Sequence, residues 1–207
     1  MDPAIGYYAY YLAKIGGFNL ISRELGVSRP YRSFYDQNYE GEVAGLNEFM
    51  SDIDSVTADD GNWVITLLPS SGANEPEFPT QLHIEYGGKK GESGFDSVDL
   101  LVKDTEKADK LFCKLEETMD SRYGIKTDRQ RYFDTSSPNI FQRKLKNAAE
   151  TNGFVLRIAW SVFLWNAQKI DVARTLAQVL KQQIEGLDLP DCPDLKVKDI
   201  GYQDYTD

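Results

Sequence analysis

The sequence predicts an α+β fold in which an antiparallel sheet of three to four strands packs against C-terminal helices, beside an N-terminal helical annex. Apolar residues recur at helical spacing before residue 60 and after residue 103, and short strand-like runs lie between them. The chain has 207 residues, 41% of them apolar, which is enough for one sizeable core. We expect an N-terminal helical segment over residues 1–60, a core domain over 61–186 and an acidic tail over 187–207.

The N-terminal segment has the pattern of three helices. Residues 3–25 are helical in pattern with a break at Gly16 and Gly17, and Asn19 is placed to cap a second helix that ends at Gly26. A third helix is predicted over residues 41–53. The apolar residues that define the first and third helices are Ile5, Tyr8, Leu12, Ile15, Val43, Leu46, Phe49, Met50 and Ile53.

Three strands are predicted between residues 62 and 103. Residues 62–68 (NWVITLL) are apolar on both faces, which is typical of a central strand. Residues 81–86 (QLHIEY) and 97–103 (SVDLLVK) alternate between apolar and polar side chains. Because short loops join the three runs, we expect an antiparallel meander.

Helices dominate the pattern after residue 103. Asp104 is expected to cap a helix with one apolar face, residues 121–137 are expected to be irregular, and Pro138 suits the first turn of a helix to about Glu150. Asn166 is expected to cap the final helix. Residues 154–165 (FVLRIAWSVFLW) fit a buried strand or a buried helix, and their Val, Ile, Phe and Trp content favours a strand.

Composition limits the classes of function. A net charge of −10 argues against binding to nucleic acid backbones or anionic membranes. Cys113 and Cys192 form no Cys-x-x-Cys pair, which indicates two reduced thiols. Asp2 stands where a signal peptide carries positive charge, and residues 154–165 contain Arg157 and are too few to span a bilayer. We expect a soluble cytoplasmic protein with no cofactor and no metal.

One stretch resembles a DNA-binding turn. Residues 23–36 (RELGVSRPYRSFYD) have the spacing of a helix-turn-helix, and Arg23, Arg29 and Arg32 would face DNA. The position six residues after Gly26 is normally apolar, yet here it is Arg32. The pattern therefore favours a helix that ends at Gly26 and is followed by a turn, with a DNA-binding regulator as the less favoured interpretation.

The single histidine raises the possibility of catalysis. His83 and Glu85 share one face of a predicted strand, and Asp99 lies on the next predicted strand. An imidazole and two carboxylates can bind a divalent metal, so the alternative function is a metal-dependent enzyme acting on a phosphorylated or nucleic-acid substrate. The same residues also fit the solvent-facing side of a one-sided sheet.

A basic segment follows the predicted helix that starts at Asp104. From Ser121 to Lys146 there are seven basic residues and two acidic ones, and Arg129 and Arg131 are the candidates for binding an anion. The alternative is a solvated surface whose bases partly pair with the acidic residues of the same protein.

The first 60 residues combine tyrosines with acids. Seven of the twelve tyrosines occur before residue 40, and the run from Asp36 to Asp60 has eight acidic residues and no basic one. Tyrosines are enriched at interfaces and acids steer basic partners, so we expect a binding protein without catalysis, such as an inhibitor, a toxin-neutralising protein or an adaptor. Self-association is possible, and burial of the tyrosines in the core is the alternative. The candidate partner-binding residues are Tyr7, Tyr11, Tyr31, Tyr35, Tyr39, Glu40 and Glu42.

Overall fold

The structure is a computed structural model that describes residues 3–21, 46–58, 61–70, 80–89, 91–92, 94–97, 99–129, 150–163 and 166–187. Its helices are α1 (Pro3–Gly16), α2 (Leu46–Ala58), α3 (Thr105–Tyr123), the short α4 (Trp160–Phe163) and α5 (Asn166–Glu185). Its strands are β1 (Trp63–Ser70), β2 (Leu82–Glu85), β3 (Thr127–Asp128) and β4 (Asn152–Ala159). The α+β class predicted from the sequence is confirmed.

The sheet is mixed, so the prediction of a purely antiparallel sheet is wrong. The strand order is β1-β4-β2-β3, in which β1 and β4 are parallel, β4 and β2 are antiparallel, and β2 and β3 are parallel. β4 separates the first two predicted strands because it is apolar on both faces and buried at every residue except Arg157. A position with a neighbour on each side suits such a strand.

The third predicted strand, residues 97–103, does not form among the residues of this range that the structure describes. Its contribution to pairing is an isolated bridge between Gly87 and Leu100. The backbone of Leu101 links the residue that follows β2 to β4, because its N–H donates to Tyr86 and its C=O accepts from Gly153. Leu100 and Val102 pack in the main core, whereas Leu101 packs in a smaller cluster. The apolar residues of this run are therefore explained by burial in two different clusters and not by a strand.

The ambiguous run 154–165 contains both kinds of structure. β4 ends at Ala159, and the chain turns directly into α4 at Trp160. The strand favoured by the composition is therefore correct for the first half of the run and wrong for Trp160–Phe163.

The main core lies on one face of the sheet. It joins β2 and β4 to α1, α3 and α5, and α1 packs against α5. α1 is therefore part of the central packing and not an annex to it. Leu82, Ile84, Phe154, Leu156 and Ile158 supply the sheet side of this core. The opposite face carries a smaller cluster built on Ile53 and Leu101.

α3 begins where the sequence predicts, but the expectation that residues 121–137 are irregular is wrong in part, because α3 continues to Tyr123 and β3 follows at Thr127–Asp128. The side chain of Asp104 accepts a hydrogen bond from the N–H of Lys107 at 2.9 Å, which satisfies a free donor of the first turn. Gly124 ends the helix in a left-handed conformation with φ of 65°. The predicted apolar face is buried in the core and consists of Ala108, Leu111, Phe112, Leu115 and Met119.

Several predictions fall wholly or partly outside the described residues. Phe18–Ile21 are not helical, and the rest of the second predicted helix lies outside. So do the helix predicted from Pro138, apart from Glu150, which is not helical, and the tail beyond Leu187. The predicted domain boundaries stay predictions. Within the described part of the chain, no helix has the length and apolar character needed to cross a membrane.

Candidate functional site

Four polar side chains form a continuous row on the face of the sheet opposite the main core. The register places His83 of β2 directly between Arg157 of β4 and Asp128 of β3, and Glu85 follows His83 on the same face. We call Asp128, His83, Glu85 and Arg157 the polar row. The row spans three neighbouring strands, so it depends on the strand order of the sheet.

Asp128 is held by both of its carboxylate oxygens. Nδ1 of His83 lies 2.9 Å from Oδ1, and the hydroxyl of Thr80 donates to Oδ2 at 3.1 Å. The carboxylate keeps 21% of its side chain exposed, whereas His83 is 1% exposed. Asp128 is therefore a preorganised acceptor at the edge of the row, with a buried imidazole behind it.

The other end of the row is an ion pair. Nε of Arg157 donates to Oε1 of Glu85, and the same carboxylate oxygen lies 3.8 Å from Nε2 of His83. Glu85 is 12% exposed, so its charge is largely removed from water. Buried charges cost free energy unless they are paired, and this pairing explains how one charged residue is accommodated in the otherwise buried β4.

Asp99 is not positioned as predicted. It lies beyond the end of β2, where its C=O accepts a hydrogen bond from the N–H of Gly88 at 2.9 Å. The residue that faces His83 across the sheet is Asp128. The prediction failed because it assumed that residues 97–103 pair beside β2, whereas the two-residue strand β3 occupies that position.

Sequence reasoning also missed Arg157 and Thr80 as members of this network. Arg157 had a usable signal, because it is the single charged residue within the apolar run 154–165. A lone charge in a buried strand requires a partner of opposite sign on a neighbouring strand. Thr80 had no such signal, since nothing in its local sequence indicates a contact with a residue 48 positions away.

An open cleft of about 1280 Å³ adjoins the polar row at Asp128. Its walls come from α3, from described residues between Tyr86 and Phe95, and from residues 126–129 around β3. We call it the acidic cleft, because its described lining has six carboxylates and two basic side chains, an excess of four negative charges. The charged lining residues are Glu92, Asp109, Glu116, Glu117, Asp120, Asp128, Lys126 and Arg129.

The acids reach the cleft because of the helical repeat of α3. Asp109, Glu116 and Asp120 are seven and four positions apart and share one stripe of the helix, beside the apolar stripe in the core. Gly124 then reverses the chain, and its left-handed φ brings Lys126–Arg129 back along the same stripe. Phe95 adds a partly exposed aromatic ring to the lining.

Arg129 pairs with acids of its own chain. Its Nη1 lies 2.8 Å from Asp109 and its Nε lies 2.7 Å from Glu116. Burial alone lowers the pKa of Arg129, but the hydrogen bond to Asp109 and the charge of Glu116 raise it above its ordinary value. This arrangement matches the alternative prediction, in which bases of this segment pair internally. Arg131 lies outside the described residues.

Two carboxylates that line the cleft take part in exposed ion pairs. Nζ of Lys126 lies 2.6 Å from Asp120, and Nζ of Lys114 lies 3.0 Å from Glu117. Both pairs are largely exposed to solvent. Exposed pairs contribute about 0–1 kcal/mol each, so a cation from another molecule can replace either lysine at little cost.

Of the candidate tyrosines, Tyr11 is buried, and the side chains of the others lie outside the described residues. Tyr11 is 2% exposed and packs in the main core, which agrees with the burial alternative and removes it from the accessible surface. Tyr7 belongs to α1, but its side chain lies outside the described part. Tyr10, which was not a candidate, is 41% exposed. The candidates in residues 22–45 also lie outside: Tyr31, Tyr35, Tyr39, Glu40 and Glu42.

The proposed DNA-contacting residues Arg23, Arg29 and Arg32 lie outside the described residues too. In the part of the chain that is described, no group of three or more His, Cys, Asp and Glu side chains is arranged to hold a metal ion. Comparisons with known proteins found no matching family model, no matching curated protein and no matching solved structure.

Proposed function

We propose that this protein binds another protein, without catalysis of its own, by receiving a basic segment of that partner in the acidic cleft. The observation that carries the proposal is the lining of the cleft, where six carboxylates outnumber two basic side chains. A concave surface lined by one sign of charge concentrates the field and raises the rate of encounter with an oppositely charged partner.

The cleft offers two kinds of carboxylate to such a segment. Asp109 and Glu116 already hold a guanidinium, that of Arg129, and their side chains form a stable internal pair. Glu117 and Asp120 are held by exposed lysines and exchange these for a partner's cations. Asp128 is fixed in place before binding, so a partner that bonds to it loses little free energy in ordering the carboxylate.

An acidic protein that covers a basic surface fits an inhibitor, a toxin-neutralising protein or an adaptor. In each case the acids of the cleft supply steering, and the tyrosines and acids of residues 31–42 are proposed to extend the contact. The proposed compartment is the cytoplasm, where Cys113 stays reduced.

The proposal is tested by titrating the 207-residue chain with a fluorescent oligo-arginine peptide. The double substitution Glu117→Gln with Asp120→Asn is expected to weaken binding roughly tenfold, because it removes two exposed charges of the cleft. Glu106→Gln is the matched control, since Glu106 forms a similar exposed pair with Lys110 on α3 but does not line the cleft. If the two variants weaken peptide binding equally, the attraction is nonspecific and the cleft is not the binding site.

A second candidate function is acid–base catalysis at His83. The observation that favours it is the pairing of the imidazole with Asp128, since a carboxylate orients a catalytic histidine in many enzymes. Because the ring is 1% exposed, substrate access requires a movement of the residues around it. Hydrolysis of a chromogenic phosphodiester that is lost in His83→Gln, at unchanged melting temperature, would support this candidate over the first.

A further inference from the structure

β1 combines the composition of a central strand with the position of an edge strand. Residues 63–70 (WVITLLPS) include no charged side chain and are apolar on both faces. Yet β1 ends the sheet, and β4 is its neighbour among the described residues. Every residue from Trp63 to Pro69 keeps part of its surface exposed, whereas almost all of β4 is buried. Edge strands of monomeric proteins are normally protected by charges or bulges.

The backbone of β1 has hydrogen-bonding groups directed away from β4. The C=O of Asn62 accepts from the N–H of Asn152 at 2.8 Å, which fixes the phase of the parallel ladder. In that phase the even-numbered residues of β1 bond to β4. The N–H and C=O groups of Trp63, Ile65 and Leu67 therefore point to the open side. Pro69 belongs to the same set, and a proline without an N–H is compatible with that side.

We propose that a second copy of this chain pairs with β1, antiparallel about a two-fold axis, so that two four-stranded sheets become one. β1 becomes a central strand in this arrangement, as its composition requires. Two identical strands that lack charge meet without repulsion, in spite of the net charge of −10 on each chain. A basic segment of the kind proposed for the acidic cleft gains no charge pairing at this neutral edge.

A second copy also covers the faces of the extended sheet. An isolated peptide strand beside β1 would leave apolar side chains exposed on each face, whereas a second copy brings its own helices to the junction. α1 packs against β1 on the side of the main core. The exposed Tyr10 lies on this helix and is a candidate for contact across the two-fold axis.

The test is sedimentation equilibrium of the 207-residue chain and of charge variants at Thr66. Thr66 lies in the middle of β1. When two antiparallel copies of β1 pair with the two-fold axis at residue 65, 66 or 67, the two copies of residue 66 lie opposite each other or two positions apart. Thr66→Lys and Thr66→Glu are each expected to weaken the dimer at least tenfold, and an equimolar mixture of the two is expected to restore it. Gln182→Lys and Gln182→Glu on the exposed surface of α5 are the matched controls for added charge.

Each result of this experiment either supports the pairing of β1 or overturns it. The pairing of β1 is supported if the unmodified chain dimerises, if each single variant weakens the dimer, and if the mixture of the two variants restores it. A chain that stays monomeric up to about 100 µM, or variants that dimerise as the unmodified chain does, would overturn it. Since the mixture requires both variants to be folded, its recovery excludes misfolding as the cause of dissociation.

Discussion

Asp128 and His83 are bonded side chain to side chain across the β2–β3 pair, with Oδ1 and Nδ1 2.9 Å apart. The two residues are 45 positions apart in sequence. Their contact connects the buried His83, on the face of the sheet opposite the main core, to the acidic cleft that Asp128 lines. One carboxylate thus serves both the stability of the sheet and the charge of the proposed binding surface.

Removal of the Asp128 carboxylate is expected to destabilise the fold. Asp128→Ala deletes the acceptor of two hydrogen bonds and leaves the buried imidazole without this partner, which costs about 2–3 kcal/mol in the free energy of unfolding. Asp120→Ala removes an exposed carboxylate paired with Lys126 and is expected to change stability by less than about 0.5 kcal/mol. Urea unfolding of both variants measures the difference, and equal losses would contradict a structural role for Asp128.

The ion pair of Arg157 and Glu85 is expected to be strongly non-additive. Arg157→Met leaves Glu85 charged and largely buried, with an expected loss of about 3 kcal/mol. The double variant Arg157→Met with Glu85→Met removes both charges and is expected to recover most of that loss. A double-mutant cycle from urea unfolding gives the coupling energy. A double variant as unstable as the sum of the single changes would show that the pair is not coupled.

Gly87 is expected to tolerate no side chain. Its φ is 93°, and a Cβ there would lie 2.5 Å from the carbonyl oxygen of Asp99 and 2.6 Å from the nitrogen of Leu101. Both contacts are with backbone, so Gly87→Ala is expected to cost more than about 3 kcal/mol. Gly91 has a similar φ of 80° with open space around it, and Gly91→Ala is expected to cost about 1 kcal/mol. Similar thermal shifts for the two variants would contradict the close approach at the Gly87–Leu100 bridge.

Alkaline conditions are expected to unfold the protein partly through Tyr8. Burial of this phenol, and then the neighbouring Tyr123, raise the pKa of Tyr8 above its ordinary value of 10.0. The unfolded state therefore loses its proton first, so the stabilising contribution is complete below pH 10 and is lost as the pH rises further. Unfolding free energies measured from pH 8 upward should fall less steeply for Tyr8→Phe. A slope as steep for Tyr8→Phe as for the unmodified chain would contradict this role of Tyr8.

Local sequence determined the elements whose signals are contained in a few neighbouring residues. Asp104 marks the start of α3, and the apolar stripe that follows it is the one that the core buries, whereas the left-handed Gly124 that ends the helix was not predicted. The runs 62–68 and 81–86 form β1 and β2 within one or two residues. The predicted features follow from capping and side-chain periodicity, both of which act within about four residues.

Tertiary structure decided which strands are neighbours and therefore which polar residues meet. The central position of β4 separates β1 from β2, and the two residues of β3 place Asp128 opposite His83, where Asp99 was expected. The sequence alone identified β1 as apolar on both faces, but only the strand order showed that it ends the sheet formed by the described residues. Strand order depends on the burial of whole strands and on contacts between distant residues, whereas sequence periodicity reports only which faces are apolar.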